Sequence, residues 1–451
     1  MTTPTKLKPV DAVVVGSGVV GSIICMELAN AGLKVLCLER GRSAETQKDF
    51  VMPYVQDELK FDRHSDIFQN LSRETITFRN NMSETALPMR ELGSFKPGEI
   101  VGGTALHWGC NARRQLPYDF DIRSRLEGRF GKKYFPEDCT SQDWGVTYED
   151  VEPYYDQFEY IYGVGGVSGN LEGKILPGGN PHEGARSRDY PNPPTKRTPQ
   201  GELFAKACEQ LGYHPFQGPA AAMTRDYMNL YKNFLGECAR GGFCSSHACS
   251  QGAKANPLTA VIPALMKQPT FEMRPLCNVI KILKDSTGKK ATGVVYVDAR
   301  GRQFEQPAEM VVLATYCFNN TRLLLLSGKM LTGRDAAHKR IEDMLARGEP
   351  LPVDFRNRVI YYVGPVDPVR DEVVGPAGPT TATRMDKFTE TMLSKTGLIA
   401  MIGKAERGPV AIEAIRKHKA AYLMAVGGAA YLVSKAIQKS RVLGFADLGM
   451  E

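Results

Sequence analysis

The feature that most constrains this chain is a glycine-rich turn between two apolar, strand-like segments near its start. Residues 11–21 read Asp-Ala-Val-Val-Val-Gly-Ser-Gly-Val-Val-Gly, a buried-strand pattern that ends in the spacing G-x-G-x-x-G. Residues 22–31 then have helical spacing, and residues 34–39 form a second apolar strand. This strand–turn–helix–strand order predicts a parallel α/β unit that binds a dinucleotide.

Each glycine of the turn has its own physical role in such a site. Gly16 permits the tight turn, Gly18 removes a side chain where a diphosphate approaches, and Gly21 lets helix and strand pack closely. The helix amino terminus offers N–H donors and partial positive charge to phosphates. Glu39 ends the second strand, where its carboxylate can accept hydrogen bonds from ribose hydroxyls. The turn alone does not distinguish FAD from NAD, and a glycine turn without a ligand is the alternative interpretation.

A second glycine-rich segment distinguishes the two cofactors. Residues 99–114 contain a Gly-Gly pair followed by a His-Trp pair. This segment resembles the flavin-binding segment of the glucose–methanol–choline (GMC) oxidoreductase family, above all the flavoprotein subunits of bacterial gluconate and glucose dehydrogenases. Further matches lie at residues 116–120, 154–155, 256–257, 277–280, 310–315 and 320–325. The resemblance covers roughly the first 327 residues and implies FAD as the cofactor.

The resemblance also implies roles for individual residues. Gly102 and Gly103 would let the backbone approach the diphosphate and the flavin ring. His107 and Trp108 would lie near the isoalloxazine, and some relatives bond such a His covalently to FAD. The alternative is that His107 simply packs against Trp108. Val279 would meet the adenine through its main chain.

Three cysteines, Cys238, Cys244 and Cys249, form the one cysteine cluster of the sequence. The related flavoproteins have a cysteine-rich segment here, which in some members holds an iron–sulfur cluster that passes electrons to a cytochrome. Thiolates suit iron ligation, so these residues are candidate cluster ligands. The family pattern has one more Cys where Gly241 stands here, and free thiols are therefore the alternative. The implied partners are a small-molecule substrate and a cytochrome or small subunit that accepts electrons.

The implied reaction is oxidation of a CH–OH group of a sugar or sugar acid by hydride loss to the flavin. A His near the family's carboxyl terminus takes the hydroxyl proton. No segment after Leu326 resembles that part of the family. The sequence therefore assigns no catalytic base for the oxidoreductase chemistry.

From about residue 333 the sequence changes character. Arg334 opens a predicted helix, and a Gly-Pro turn leads into a second helix start at Thr380, where exposed N–H groups can meet an anion. Arg384 lies one helical turn later, and an apolar strand delivers Lys404 just past a glycine. Three cations and a helix terminus suit a dicarboxylate. The alternative is a set of solvated charges or a phosphate-like surface nest.

This part of the chain resembles the carboxy-terminal domain of class I fumarases and related tartrate dehydratases, from about Gly328 to the end. The resemblance implies that Arg334, Thr380, Arg384 and Lys404 hold the substrate carboxylates. The family's amino-terminal domain supplies the Cys ligands of a four-iron cluster and the base. The cysteines of this chain lie in a flavoprotein context instead, so we expect no replacement for that domain here.

The sequence thus predicts an α/β fold with two modules. Residues 1–327 would form an incomplete FAD-binding Rossmann-like domain, and residues 328–451 a small, truncated β/α domain of the swivelling type. Three functions stay open: an FAD-dependent oxidoreductase, a hydro-lyase subunit of the fumarate hydratase type, and a hybrid that binds FAD without turnover.

Charge and hydropathy exclude other classes. The formal net charge is +7, with basic and acidic residues interspersed, so no nucleic-acid-binding stripe is predicted. The start of the chain lacks the apolar segment of a secretory signal, and no apolar run is long enough for a transmembrane segment. We therefore expect a cytoplasmic protein with reduced thiols.

Overall fold

The computed structural model describes most of the chain, in segments. They are residues 4–50, 67–70, 77–78, 87–88, 97–136, 139, 141–239, 247–285, 290–327, 331–356, 358–364, 373–375, 377–404, 407–424, 437 and 440–448.

The strands of these segments are, in chain order, β1 (Thr5–Lys6), β2 (Val10–Val15), β3 (Val35–Leu38), β4 (Thr77–Phe78), β5 (Leu87–Pro88), β6 (Asn170–Leu171), β7 (Lys174–Ile175), β8 (Tyr227–Met228), β9 (Phe234–Leu235), β10 (Phe271–Arg274), β11 (Asn278–Lys284), β12 (Ala291–Val297), β13 (Gln303–Leu313), β14 (Leu331–Thr332), β15 (Val359–Tyr361), β16 (Ala400–Gly403) and β17 (Ala421–Met424). The α-helices are α1 (Val19–Asn30), α2 (Thr46–Asp49), α3 (Ile122–Phe130), α4 (Tyr148–Tyr162), α5 (Pro199–Gln210), α6 (Pro257–Ala260), α7 (Ile262–Leu265), α8 (Tyr316–Ser327), α9 (Asp335–Arg347), α10 (Asp386–Thr396) and α11 (Pro409–Lys417).

A seven-stranded mixed sheet organises the first part of the chain, in the order β10-β3-β2-β13-β12-β11 with β1 also paired to β13. Strands β10, β3, β2 and β13 are parallel. All four residues of β3 are buried, which is typical of a parallel strand covered on both faces. Helix α1 connects β2 to β3, so the strand–helix–strand unit expected over residues 11–39 is present.

Strand β13 joins two kinds of pairing in one element. Its residues 303–307 pair antiparallel with β12, and its residues 308–313 pair parallel with β2. Apolar side chains of β2, β3, β11 and β12 share one buried cluster on one side of this sheet. The same strand therefore connects the β11–β12 hairpin to the glycine turn that follows β2.

A buried ion network attaches the long loop after α4 to that helix. Glu159 accepts bidentately from Arg114, at 2.9 Å to each carboxylate oxygen, and it also pairs with Arg186 from the loop. The Arg186 side chain is fully buried, and its guanidinium lies 3.7 Å from the centroid of the Tyr190 ring. Two cations therefore share one carboxylate in a site that water cannot reach.

The second part of the chain has its own parallel sheet, in the order β14-β15-β16-β17. Helices α9, α10 and α11 alternate with these strands along the chain. Their apolar faces share a buried cluster with the sheet that includes Ile360, Phe388, Met392 and Met401. The prediction of a mixed α/β chain is confirmed at this level, and the boundary at residue 327 stays a prediction.

Among the helices that the structure describes, none combines the length and the apolar character needed to cross a membrane.

The network around Glu159 gives a first testable prediction. Glu159→Ala leaves two buried guanidiniums without their shared counter-charge, so we expect a loss of about 3–5 kcal/mol in unfolding free energy. Both tryptophans of the chain, Trp108 and Trp144, lie in this part, so urea unfolding followed by tryptophan fluorescence measures it directly.

The matched control is Glu272→Ala. Glu272 pairs with Arg274 at 2.6 Å, but its side chain is 56% exposed. Removing such a partner should change the unfolding free energy by less than about 1 kcal/mol. Equal losses of unfolding free energy in the two variants would contradict the assignment of Glu159 as the buried counter-charge of both arginines.

Candidate functional site

The three glycines of the turn after β2 have different surroundings. A Cβ added at Gly16, whose φ is +98°, would lie 2.6 Å from the Ala314 carbonyl oxygen. One added at Gly21 would lie 1.9 Å from the Gly16 carbonyl oxygen. A Cβ on Gly18 would have no neighbour within 4 Å. The chain itself therefore fills the space beside Gly16 and Gly21, and leaves space open beside Gly18.

Gly18 is also the N-cap residue, directly before the first residue of α1. The amides of the first helical turn have no partner inside their own helix, and the helix dipole concentrates positive charge at this end. No acidic residue stands in this first turn. The open space beside Gly18 is consequently suited to an anion.

Glu39 connects this turn to the second glycine segment. One of its carboxylate oxygens accepts from the Ser17 amide at 2.9 Å and from the Ser17 hydroxyl at 2.8 Å. The other accepts from the Gly41 amide at 2.7 Å. The Gly102 amide in turn donates to the Ser17 hydroxyl oxygen at 3.2 Å. Sequence reasoning named Glu39 and Gly102 but missed Ser17 and Gly41, although Ser17 lies inside the motif.

Gly102 and Gly103 lie close to the first glycine turn. Both have positive φ, +94° and +62°, a conformation that favours glycine. A Cβ on Gly103 would come within 3.4 Å of the Gly18 Cα. The structure therefore brings the two predicted glycine segments together, with their backbones facing each other.

His107 and Trp108 follow this segment and are held by different neighbours. The buried His107 ring lies edge-on to Phe68, with ring centroids 4.7 Å apart. The Trp108 ring packs at 6.4 Å from Tyr162, and its indole N–H donates to the Ala255 carbonyl at 3.0 Å. Phe68 is therefore one ring partner of His107.

Val279 lies on β11 beside the end of β3. The Cys277 amide donates to the Glu39 carbonyl at 2.8 Å, and the Leu276 amide donates to the Gly41 carbonyl at 3.0 Å. These bonds place the start of β11 next to the residue predicted to bind ribose. Val279 is buried and pairs with Tyr296 of β12.

The predicted cysteine cluster receives no support. Cys244 lies outside the described residues, while Cys238 and Cys249 are partly buried and pack against the apolar core. Within the described residues, no group of His, Cys, Asp and Glu is arranged to hold a metal ion. The sequence spacing was compatible with ligation, but spacing alone does not fix where the sulfur atoms point.

The structure brings together the four residues predicted to hold a dicarboxylate. Arg334 donates to the Thr380 hydroxyl oxygen at 3.1 Å. The Lys404 amide donates to the Thr380 carbonyl at 2.9 Å, and the Ala382 amide donates to the Lys404 carbonyl at 2.6 Å. Arg384 lies in the short 3-10 helix that follows Thr381. Buried Thr380 thus lies between residues from three different segments.

Asp335 also belongs to this group, although the sequence indicated only that it is a carboxylate in the first turn of the helix. It accepts from Arg384 Nε at 3.0 Å and from Arg384 Nη2 at 2.9 Å. Its φ of +22° lies outside the usual range for a non-glycine residue. Asp335 therefore ties the predicted cation Arg384 to the start of α9, directly after Arg334.

A buried histidine packs against aromatic side chains close to this group. His338 is 1% exposed, and its ring lies 5.4 Å from the Tyr362 ring and 5.7 Å from the Phe388 ring. Burial, with a further contribution from the Arg407 charge, lowers the pKa of His338 to about 3. The imidazole is consequently neutral at physiological pH.

Two family models match the chain. The model described as GMC oxidoreductase matches residues 141–333, and the one described as Fumarase C-terminus matches residues 289–451. The chain contains parts of two enzyme families. It has a GMC oxidoreductase region followed by a fumarase carboxy-terminal region, as the sequence predicted. The two matches overlap between residues 289 and 333, so they leave the boundary between the regions open.

Known proteins match the two regions separately. A gluconate 2-dehydrogenase flavoprotein from Pantoea cypripedii is 40% identical over 359 residues, which is 77% of this chain and 58% of that protein. Mitochondrial fumarate hydratase 1 from Leishmania major is 40% identical over 129 residues, 28% of this chain and 24% of that protein. A solved formate oxidase from Aspergillus oryzae is 16% identical, with a TM-score of 0.42, covering 79% of this chain and 52% of that chain. The chain thus spans less than two thirds of each relative's length.

His338 gives a prediction for the fumarase region. Its folded-state pKa of about 3 lies below the ordinary value of 6.5, so its contribution to stability is complete above pH 6.5 and is lost as the pH falls towards 3. We expect this residue to lower the unfolding free energy by about 1.4 kcal/mol per pH unit below that point. His338→Phe keeps an aromatic ring there and should remove this part of the pH dependence.

Urea unfolding followed by circular dichroism, between about pH 7.5 and about pH 5, measures the effect. The control is His418→Phe, because His418 lies at the surface beside Glu390. If wild type and His338→Phe show the same slope with pH, then His338 is not the buried neutral group described above.

Proposed function

We propose that the GMC region binds FAD and that the chain belongs functionally with FAD-dependent oxidoreductases. The observation that carries this proposal is the open space beside Gly18. It lies at the amino terminus of α1, and the second glycine segment comes close to Gly18 at Gly103. A diphosphate needs these three things together: N–H donors, positive charge and no intervening side chain. The flavoprotein relative supports FAD over NAD.

In this proposal, different residues around the space bind different parts of FAD. Gly18 and Gly103 would flank the diphosphate, and Glu39 would accept from the ribose hydroxyls. Each oxygen of a carboxylate has more than one acceptor position, so Glu39 can keep its bonds to Ser17 and Gly41. Val279, held beside Glu39 by the backbone bonds of the preceding residues, would meet the adenine.

The resemblance of their segment supports a position for His107 and Trp108 near the flavin ring, where their fixed packing would keep this side of the site rigid. When bound, FAD supplies a hydride acceptor for the oxidation of a CH–OH group. The residues of this chain would bind and orient the cofactor and exclude water. We assign no proton-accepting residue among them.

The substrate class proposed for the GMC region is a sugar or sugar acid, because the Pantoea cypripedii relative is named as a gluconate 2-dehydrogenase flavoprotein. A cytochrome or small subunit would accept the electrons. Both are proposals, since the chain spans 58% of that relative. An iron–sulfur relay has no supporting geometry in the described residues.

A second function is favoured by the cluster in the fumarase region. We propose that Arg334, Thr380, Arg384 and Lys404 bind a small dicarboxylate. The Arg384 Nη1 group has no hydrogen-bond partner among the described residues, while Nε and Nη2 hold Asp335. That leaves the end of the guanidinium for a ligand carboxylate. Fumarate hydratase relatives suggest fumarate or malate, but the chain spans 24% of such a relative, so we expect binding without hydration.

The FAD proposal is tested with Gly18→Val. The added side chain enters space that no described atom of the protein occupies, so the fold should persist while FAD uptake is lost. Titration with FAD, followed by quenching of flavin fluorescence, measures binding. We expect affinity to fall by at least about a hundredfold.

Gly128→Val is the matched control, because Gly128 also has no neighbour within 4 Å of an added Cβ but lies on helix α3. It should bind FAD as wild type does. Unchanged FAD uptake by a folded Gly18→Val variant would refute the placement of the diphosphate.

The dicarboxylate proposal is tested with Arg334→Ala. Removing a cation from the cluster should weaken succinate binding by about tenfold or more in isothermal titration. Arg340→Ala is the control, since Arg340 lies on the helix that begins directly after Arg334 but pairs with Asp447 at the surface. Equal affinities in the two variants would contradict the proposed site.

A further inference from the structure

Arg407 is a buried cation that belongs to none of the predicted sites. The residue is 4% exposed, although charged side chains are almost never fully buried without a partner. Its Nε lies 2.8 Å from the Asp386 carboxylate, Nη1 donates to the Tyr362 hydroxyl at 3.1 Å, and Nη2 donates to the Thr389 hydroxyl. The guanidinium therefore makes one ion-pair contact, through Nε, and two hydrogen bonds, through Nη1 and Nη2, in the core of the fumarase region.

Desolvating a guanidinium is expensive, and an apolar side chain of similar size is often at least as stable. Among the described residues, Arg407 has one counter-charge within ion-pair distance, Asp386, whose own pKa is raised by burial. Stability alone is therefore a weak reason for a cation at this place. Its contacts suggest another reason.

Tyr362 connects Arg407 to the candidate dicarboxylate site. The Tyr362 side chain is fully buried, with its hydroxyl held by Arg407 and its ring 5.4 Å from the Arg407 guanidinium. The backbone of the same residue accepts a hydrogen bond from the Thr380 amide at 2.6 Å. A single rigid residue thus joins the buried cation to the backbone of Thr380.

Thr380 in turn contacts two of the residues that are predicted to bind the anion. Its hydroxyl oxygen accepts from Arg334, and its carbonyl accepts from the Lys404 amide. Gly403, which precedes Lys404, packs so closely that an added Cβ would lie 2.9 Å from the Tyr362 ring. A shift of the whole Tyr362 residue would therefore reach Thr380 through the backbone bond and Lys404 through the packing against Gly403.

We propose that Arg407 is a positioning residue for the dicarboxylate site, acting through Tyr362 to hold Thr380 and Lys404 in register. The inference rests on the dicarboxylate function proposed above. Arg407 itself touches no ligand, since the backbone of Tyr362 lies between it and Thr380. Its removal should weaken ligand binding without removing any group that contacts the ligand.

The test uses the full-length chain and succinate as the probe. Arg407→Met should raise the Kd for succinate by about tenfold, measured by isothermal titration at a temperature where every variant is folded by circular dichroism. Tyr362→Phe deletes only the hydroxyl that Arg407 holds, and it should raise the Kd in the same direction. Arg407→Lys keeps the charge near Asp386 and should restore part of the affinity.

Met392→Ala is the control for a merely structural role. Met392 is 1% exposed in the same core but makes no hydrogen bond in the network. It should lower the melting temperature and leave the Kd unchanged. If Met392→Ala and Arg407→Met raise the Kd equally, or if neither does, the positioning role is wrong.

Hydrogen exchange separates the two proposals. In Arg407→Met, the segment 377–385 should exchange faster than in wild type, because the Thr380 amide loses its fixed acceptor, whereas the same segment should be unchanged in Met392→Ala. Unchanged exchange in Arg407→Met overturns the positioning role even if succinate binds. Failure of wild type to bind succinate overturns the dicarboxylate function, whatever the exchange shows.

Discussion

The GMC region depends on the close approach of backbones at Gly16, Gly21 and Ala314. The Ala314 amide donates to the Val15 carbonyl at 2.8 Å, which seats the end of β13 directly under the glycine turn. A side chain at Gly16 or Gly21 would overlap backbone atoms, so only glycine lets helix α1 lie this close to the sheet. The position of α1 then fixes where its amino terminus points. The bonds from Ser17 to Glu39 and from Gly102 to Ser17 follow from that placement.

The fumarase region differs in that it holds several cations near one another. It does so with internal carboxylates: Asp335 takes one side of Arg384, and Asp386 takes Arg407. These partners reduce the repulsion between like charges and fix the direction in which each cation presents its remaining donors. A ligand carboxylate would therefore meet cations that are already oriented, at a smaller entropic cost than flexible side chains would impose.

The sequence predicted those features that depend on residues close together in the chain. The strand–turn–helix–strand unit, the roles of its glycines and the helix that begins after Arg334 are visible because a few neighbouring residues determine them. The four predicted residues of the fumarase region were found through a resemblance, and the structure assembled them. Contacts between distant segments could not be predicted. The residues around Glu159 give no sign of its pairing with Arg186, and the residues around Thr380 give no sign of its connection to Arg407. The cysteine cluster stays an unsupported prediction: Cys244 lies outside the described residues, and spacing along the chain does not fix where sulfur atoms point.

Strand β13 has a consequence for how this protein is made. Gln306 at its middle donates to the carbonyl of Lys8, across 298 positions of sequence, and β2 finds one of its two neighbours only in β13. During synthesis one edge of β2 must therefore stay without its neighbour until more than two thirds of the chain has been made. Such late pairing slows folding and leaves intermediates prone to aggregation. We therefore expect the nascent chain to depend on chaperones during that interval.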